Sequence, residues 1–255
     1  MSYKAGEFCW VDLRATDAAD AKRFYGEVFG WVATDSSQEG HPYSMFRHGS
    51  DTVAGLGEMS AEMKAGGVPV VWNSYVAVED IEEAVARATE LGASVMFPPQ
   101  KGGESGWLAF LTDPEGAVFA LWQALPAGTP AVRGKPNTCS WNELNTREAD
   151  KATAFYGALF GWSFESVDVG AGRRYTTIKR GDQSVGGVLE MDESMGEAPA
   201  HWAVYFASDD VDATVARAKA AGGRVCVEPM DLPAGRFAML FDPQGGSFAV
   251  AKFNH

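Results

Sequence analysis

The chain has 255 residues, 46 % hydrophobic and 22 % charged, which suits a folded protein with two domains of ordinary size. Its formal net charge of −13 repels nucleic-acid phosphates and anionic lipid, so neither is an expected partner. Cys9, Cys139 and Cys226 form no disulfide framework, the start MSYKAGEFCWVDL lacks the apolar run of a signal peptide, and no stretch has the length of a membrane span. A cytoplasmic protein with reduced thiols is expected.

The first predicted element is a strand, FCWVDLRA, at 8–15. A helix follows. Thr16 or Asp17 can cap it, Ala21, Phe24, Tyr25, Val28 and Phe29 form its apolar stripe, and Gly30 stops it. Strand candidates come next at YSMFRH and TVAGLGEM. The pattern then restarts with strand WNSYVAV, a helix from Asp80 to Leu91, and strands SGWLAFL and AVFALWQ joined by an Asp-Pro-x-Gly turn.

After ALPAGTPAVRGKPNT, the order repeats. The strand is CSWNELNT. Thr146 can cap the next helix, and Ala152, Phe155, Tyr156, Leu159 and Phe160 form its stripe. The equivalents RYTTIKR, SVGGVLEM, WAVYFAS, a helix from about Asp210 to Ala221, GRFAMLF and GSFAVAKF complete the chain. FYGEVFGW (24–31) matches FYGALFGW (155–162), VARATELGASV (85–95) matches VARAKAAGGRV (215–225), and DPEG (113–116) matches DPQG (242–245). This is a tandem duplication of a domain. Residues 1–125 and 138–255 are expected as the two domains, with a Pro/Gly linker at 126–137. Within each half, a unit of one strand, one helix and about three strands occurs twice. The expected fold class is α+β: four βαβββ modules pairing into two curved, cup-like mixed sheets with helices outside. FYGxxFGW reads as the core-facing stripe of the covering helix, not as chemistry.

The two FYGxxFGW helices, each after its first strand, and the DPEG and DPQG turns before a closing strand resemble the vicinal oxygen chelate superfamily. This superfamily includes glyoxalase I, bleomycin-resistance proteins and extradiol dioxygenases. More narrowly, the tandem form with WVDL and WNEL openings resembles an actinobacterial group of two-domain glyoxalase-like proteins that often carry the loose label hydroxylase. Fold alone transfers little function. In metal-dependent members, first and last strands of each module supply His, Gln and Glu ligands to the cup. Here those positions hold Trp10, Gly55, Asn73 and Ala120, then Trp141, Gly187, Ala203 and Ala249. These are poor ligands, and the four histidines (His41, His48, His201, His255) are too few and too scattered. No metal centre and no cofactor are expected.

Strand alternation then assigns the cup contents. Trp10 and Asp12 share a face, as do Trp141 and Glu143, while the second modules add Asn73 with Tyr75 and His201 with Tyr205. Aromatic faces with a few polar groups suit a small-molecule ligand. Glu143 and Asp12 are the candidate catalytic residues, because an inward carboxylate is costly unless paired or used. The bland alternatives are core tryptophans, a structural Asp12–Arg14 pair and a merely hydrogen-bonded His201. Cys9 should face the helix side and be inert.

The leading expectation is a protein that binds or sequesters a small organic ligand. The alternative is a glyoxalase-type lyase or isomerase, or a hydroxylase- or dioxygenase-like enzyme, acting on a small carbonyl or aromatic substrate. A third possibility is that one half is only a scaffold, since equivalent positions of the repeat differ: Asn73 corresponds to Ala203, Asp12 to Glu143 and Arg14 to Asn145. The sequence leaves open which modules pair, and whether the protein is a monomer or a homodimer.

Overall fold

The structure is a computed structural model that describes residues 3–36, 42–126, 128, 131–169 and 174–254. His41 and His255 lie outside the described residues. The first half runs β1 (Phe8–Ala15), α1 (Ala18–Phe29), β2 (Val32–Asp35), β3 (Tyr43–His48), β4 (Asp51–Glu58), α2 (Ala61–Ala65) and β5 (Val71–Ala77). It continues with α3 (Ile81–Glu90), β6 (Ser94–Lys101), β7 (Gly106–Thr112) and β8 (Val118–Ala124). The second half runs β9 (Cys139–Thr146), α4 (Ala149–Phe160), β10 (Ser163–Asp168), β11 (Arg174–Arg180), β12 (Gln183–Glu190) and β13 (His201–Ala207). It ends with α5 (Val211–Ala220), β14 (Arg224–Leu232), β15 (Gly235–Phe241) and β16 (Ser247–Phe253).

These strands form two mixed eight-stranded sheets with flanking helices. The orders are β2-β3-β4-β1-β5-β8-β7-β6 and β10-β11-β12-β9-β13-β16-β15-β14. Parallel pairs β1·β4 and β5·β8, with antiparallel hairpins outside them, are repeated in the second sheet. Each sheet therefore contains both modules of one half.

The βαβββ pattern counted the edge strands β2, β6, β10 and β14, but the sequence did not locate them. Edge strands lie largely in solvent, so β2, β6 and β10 show little alternation, and only β14 alternates, between exposed and half-buried residues. Pro98 and Pro99 in β6 even argue against a strand, and an edge is where a strand tolerates proline. The short helix α2 was likewise unannounced.

The helix caps differ between halves. Asp17 caps α1, accepting hydrogen bonds from Ala19 N at 2.9 Å and Asp20 N at 3.0 Å. The expected Thr146 cap is corrected by the structure: Thr146 ends β9, and Glu148 holds the N-cap position without a side-chain cap bond. The reason is spacing, because an N-cap oxygen must reach the second or third helical N–H. Thr146 instead accepts from Glu148 N at 3.3 Å. Asp17→Ala is expected to cost about 1 kcal/mol in thermal or urea unfolding, and Glu148→Ala to cost little.

The chain divides into two compact units, and each draws on both halves of the repeat. One comprises Trp10–Asn73, Ala131–Ser140 and Val204–His255; the other comprises Met1–Cys9, Ser74–Pro130 and Trp141–Ala203. The first unit's core joins Leu13, Phe24, Tyr25 and Phe46 to Phe206, Leu240 and Phe248. The other unit's core joins Phe119 and Leu121 to Leu144, Phe155, Tyr156 and Trp202.

Each core contains a buried polar chain. Trp72 Nε1 donates to Tyr25 Oη at 2.9 Å, and Tyr25 Oη donates to Asp242 Oδ2 at 2.9 Å. Asp242 Oδ1 accepts from Gln244 N and Gly246 N, closing the DPQG turn. In the other unit, Trp202 donates to Tyr156 and Tyr156 to Asp113, whose Oδ1 closes the DPEG turn at Glu115 N and Ala117 N. The final Trp of each motif is also anchored. Trp31 Nε1 donates to Asn137 O and Trp162 Nε1 to Gly6 O, both at 2.8 Å. Gly6 (φ 80°) and Asn137 (φ 60°) are equivalent residues, each in the left-handed region just before a first strand. The repeated phrase thus ties helix, closing turn and strand entry together within a core.

Candidate functional site

In β1, Val11 and Leu13 point into the helix-side core, so Trp10, Asp12 and Arg14 occupy the opposite face. Asp12 pairs in register with Gly55 of β4, and Arg14 with Gly57. Gly55 is open for a reason: a Cβ there would fall on the Tyr43 hydroxyl. Trp10 Nε1 donates to Tyr43 Oη at 3.0 Å, and Tyr43 Oη donates to Asp12 Oδ2 at 3.1 Å. Asn73 Nδ2 donates to Asp12 Oδ1 at 2.8 Å. Both oxygens of a carboxylate that is only 2 % exposed are therefore bonded within the chain. Burial, and then the charge of Asp12, hold the Tyr43 phenol well above its ordinary pKa, so it stays a neutral donor. Arg14 lies over Gly57, where a Cβ would come within 2.6 Å of its Nη1.

The other unit repeats this construction with changes. Leu144 of β9 enters the helix-side core, which places Trp141, Glu143 and Asn145 on the opposite face. Trp141 Nε1 donates to Tyr175 Oη at 2.9 Å. The Tyr175 hydroxyl is bonded to Glu143, and burial and the Glu143 charge push its pKa far up. Gly187 pairs with Glu143, and a Cβ there would fall on Tyr175 Oη. Each face thus carries an indole–phenol–carboxylate chain, with Asp in one and Glu in the other. Gly187→Ala is expected to cost about 1–3 kcal/mol in urea unfolding by overpacking. Tyr175→Phe in the same chain should relieve part of that cost, so the two changes are non-additive.

Sequence reading missed Tyr43 and Tyr175. Both sit two strands away from the carboxylates they bind, at or next to the start of unremarkable strands. The available signal was the recurrence of Tyr at equivalent positions of YSMFRH and RYTTIKR.

The other expected site residues are placed as follows. Asn73 is in the Asp12 cluster, and its counterpart Ala203 brings no amide to Glu143. Tyr75 lies beside Ala120 in register; its ring meets Phe110 at 5.5 Å, and Phe110 meets Phe97 at 6.0 Å. Tyr205 pairs with Ala249, which pairs with Met239. His201 begins β13 and its Nδ1 lies 2.9 Å from Pro199 O. Cys9 is buried, with its Sγ 3.5 Å from Tyr75 O. A shallow, open depression of about 230 Å³, lined by Ala77, Asp80, Glu83, Arg87, Leu159 and Phe160 among others, contains none of the cluster residues.

The residues do not fit a metal ion of the superfamily type. Among the described residues, no group of three or more His, Cys, Asp or Glu side chains is placed to hold one. At Gly55 and Gly187, a ligand-bearing side chain would collide with a tyrosine hydroxyl. Asn73 turns its amide donor, not its oxygen, to Asp12. No described helix is long and apolar enough to cross a membrane.

The sequence model of the Glyoxalase/Bleomycin resistance protein/Dioxygenase superfamily matches residues 8–121 and again 138–250. The chain belongs to this superfamily. It is 43 % identical over 253 residues to a Mycobacterium tuberculosis protein provisionally named glyoxylase CFP32, covering 98 % of this chain and 96 % of that one. It is 34 % identical over 262 residues to the anthracycline biosynthesis protein DnrV of Streptomyces peucetius, covering 98 % and 94 %. The fold matches the Mn(II)-bound glyoxalase from Novosphingobium aromaticivorans with a TM-score of 0.67 at 16 % identity, covering 98 % and 82 %. Among the described residues, this member of a superfamily named for glyoxalases and dioxygenases places no donor set for a metal site.

Proposed function

We propose that this superfamily member is an enzyme acting on a small carbonyl or aromatic substrate by proton transfer at a carboxylate. One observation carries the reading: the indole–phenol–carboxylate chain on the non-helical face, built twice. A carboxylate there can take a proton from carbon beside a carbonyl. The tyrosine, kept neutral by burial and the adjacent negative charge, holds the carboxylate in place without surrendering its own proton. The indole supplies an apolar wall for the substrate. The designations of CFP32 and DnrV support catalysis over storage.

In this reading Glu143 is the base. Trp10, Asp12 and Asn73 of one unit, and Trp141 and His201 of the other, contact ligand, with Tyr75 and Tyr205 adding aromatic surface to their own units. The duplicated domains at 1–125 and 138–255 each contribute one cup, and the protein works in the cytoplasm. Ligand binding without turnover is the second reading. The saturation of both Asp12 oxygens favours it for the first half.

Proton exchange separates the two. Hydroxyacetone in D₂O, followed by proton NMR, should lose its carbon-bound protons faster with the protein than in buffer. Saturation transfer to hydroxyacetone with exchange at the buffer rate would leave binding alone.

A further inference from the structure

The two faces are not equivalent, and the difference centres on Asn145. This side chain is 2 % exposed, and its Nδ2 is buried with no hydrogen-bond partner among the described residues. A buried unpaired amide donor is uncommon and costs stability, so its retention needs an explanation. Asn145 lies two residues beyond Glu143 on the same face of β9, roughly 7 Å along the strand. In the first half the corresponding residue is Arg14, and an in-chain amide, Asn73, already occupies the carboxylate. In the second half Ala203 replaces that amide. The polar N–H₂ is instead carried by Asn145, which pairs in register with Leu189 and makes no bond to Glu143.

We infer that the second half is the half that turns its ligand over and that Asn145 is a positioning residue whose amide donates to a carbonyl oxygen of the ligand beside Glu143. The inference rests on the Glu143 reading above. It adds a ligand class: a small neutral molecule with a carbonyl acceptor and a polar hydrogen on adjacent carbons, as in an α-hydroxycarbonyl compound. The carbonyl accepts from Asn145 Nδ2, and the neighbouring hydroxyl or activated C–H faces the carboxylate. An anionic ligand is disfavoured by the Glu143 charge.

The test uses hydroxyacetone as probe and the full chain with Asn145→Leu and Asn145→Ala, either of which suffices if folded. Binding is read by saturation-transfer NMR and stability by thermal unfolding. Binding should weaken about tenfold in the variants, the loss of one hydrogen bond. Asn145→Leu should melt no lower than the wild type, because it removes an unpaired donor and keeps the branched shape of the side chain. Unchanged binding in a folded variant overturns the proposal, as does the absence of binding to wild type. A lower melting temperature for Asn145→Leu with binding intact would assign the amide to a buried structural water instead. Binding that depends on Asn145 without any proton exchange would retain the inference while ending the enzymatic reading. Exchange that is indifferent to Asn145 would do the reverse.

Discussion

Asp242→Ala is expected to destabilise the protein by about 3 kcal/mol, which for a chain of this size lowers the melting temperature by roughly 6–12 °C. The carboxylate accepts from Tyr25 Oη at 2.9 Å, Gln244 N at 2.9 Å and Gly246 N at 2.8 Å, and it is 1 % exposed. Its removal strands a phenol in the core and opens the DPQG turn. Asp113→Ala should cost a similar amount, because Tyr156, Glu115 N and Ala117 N lose the same partner. Double-mutant cycles reveal the wiring. Tyr25→Phe should couple to Asp242→Asn and be additive with Asp113→Asn, although Asp113 is the aspartate of its own half.

The same pair predicts a pH dependence. Burial is the largest cause holding Asp242 and Asp113 above the ordinary value of 3.8. The folded state therefore keeps these protons to higher pH than the unfolded chain does. The stability they contribute is present in full below the unfolded value and is lost as pH rises through the raised folded values. Asp→Asn at either position should remove its share of that loss, seen as a flatter profile of unfolding free energy between the ordinary aspartate range and neutrality.

Glu143→Gln is expected to reduce proton exchange about 10²–10⁴-fold, the usual contribution of a positioned general base. The amide keeps the shape and can still meet Tyr175, so folding should survive. Tyr175→Phe should have a smaller effect, about tenfold, because it leaves the base and removes its anchor. Asp12→Asn should also be mild, since both Asp12 oxygens are already bonded to Tyr43 and Asn73. Equal losses at Asp12 and Glu143 would mean that both faces work.

Much of this was legible in the chain itself. FYGEVFGW and FYGALFGW announced their helices, because an amphipathic stripe and a terminal glycine are local features. Trp10 with Asp12, and Trp141 with Glu143, followed from strand alternation. What stayed hidden depends on contacts between distant segments. Nothing local says that Tyr25 meets an aspartate 217 residues away rather than the one in its own half. Tyr43 and Tyr175 looked like ordinary strand residues, and only the packing over Gly55 and Gly187 shows why a glycine stands at each position. The edge strands β2, β6 and β10 left little periodic trace because most of their residues face solvent. Asn145 was visible as a divergent position, but the missing partner of its amide is a fact of three dimensions.

The most direct measurement is the rate of hydroxyacetone proton exchange by the wild-type protein before and after exhaustive chelation, beside Glu143→Gln. A carboxylate mechanism predicts equal wild-type rates in both preparations and a loss of two or more orders of magnitude in the variant. Exchange that disappears on chelation, returns with manganese and survives Glu143→Gln would contradict it.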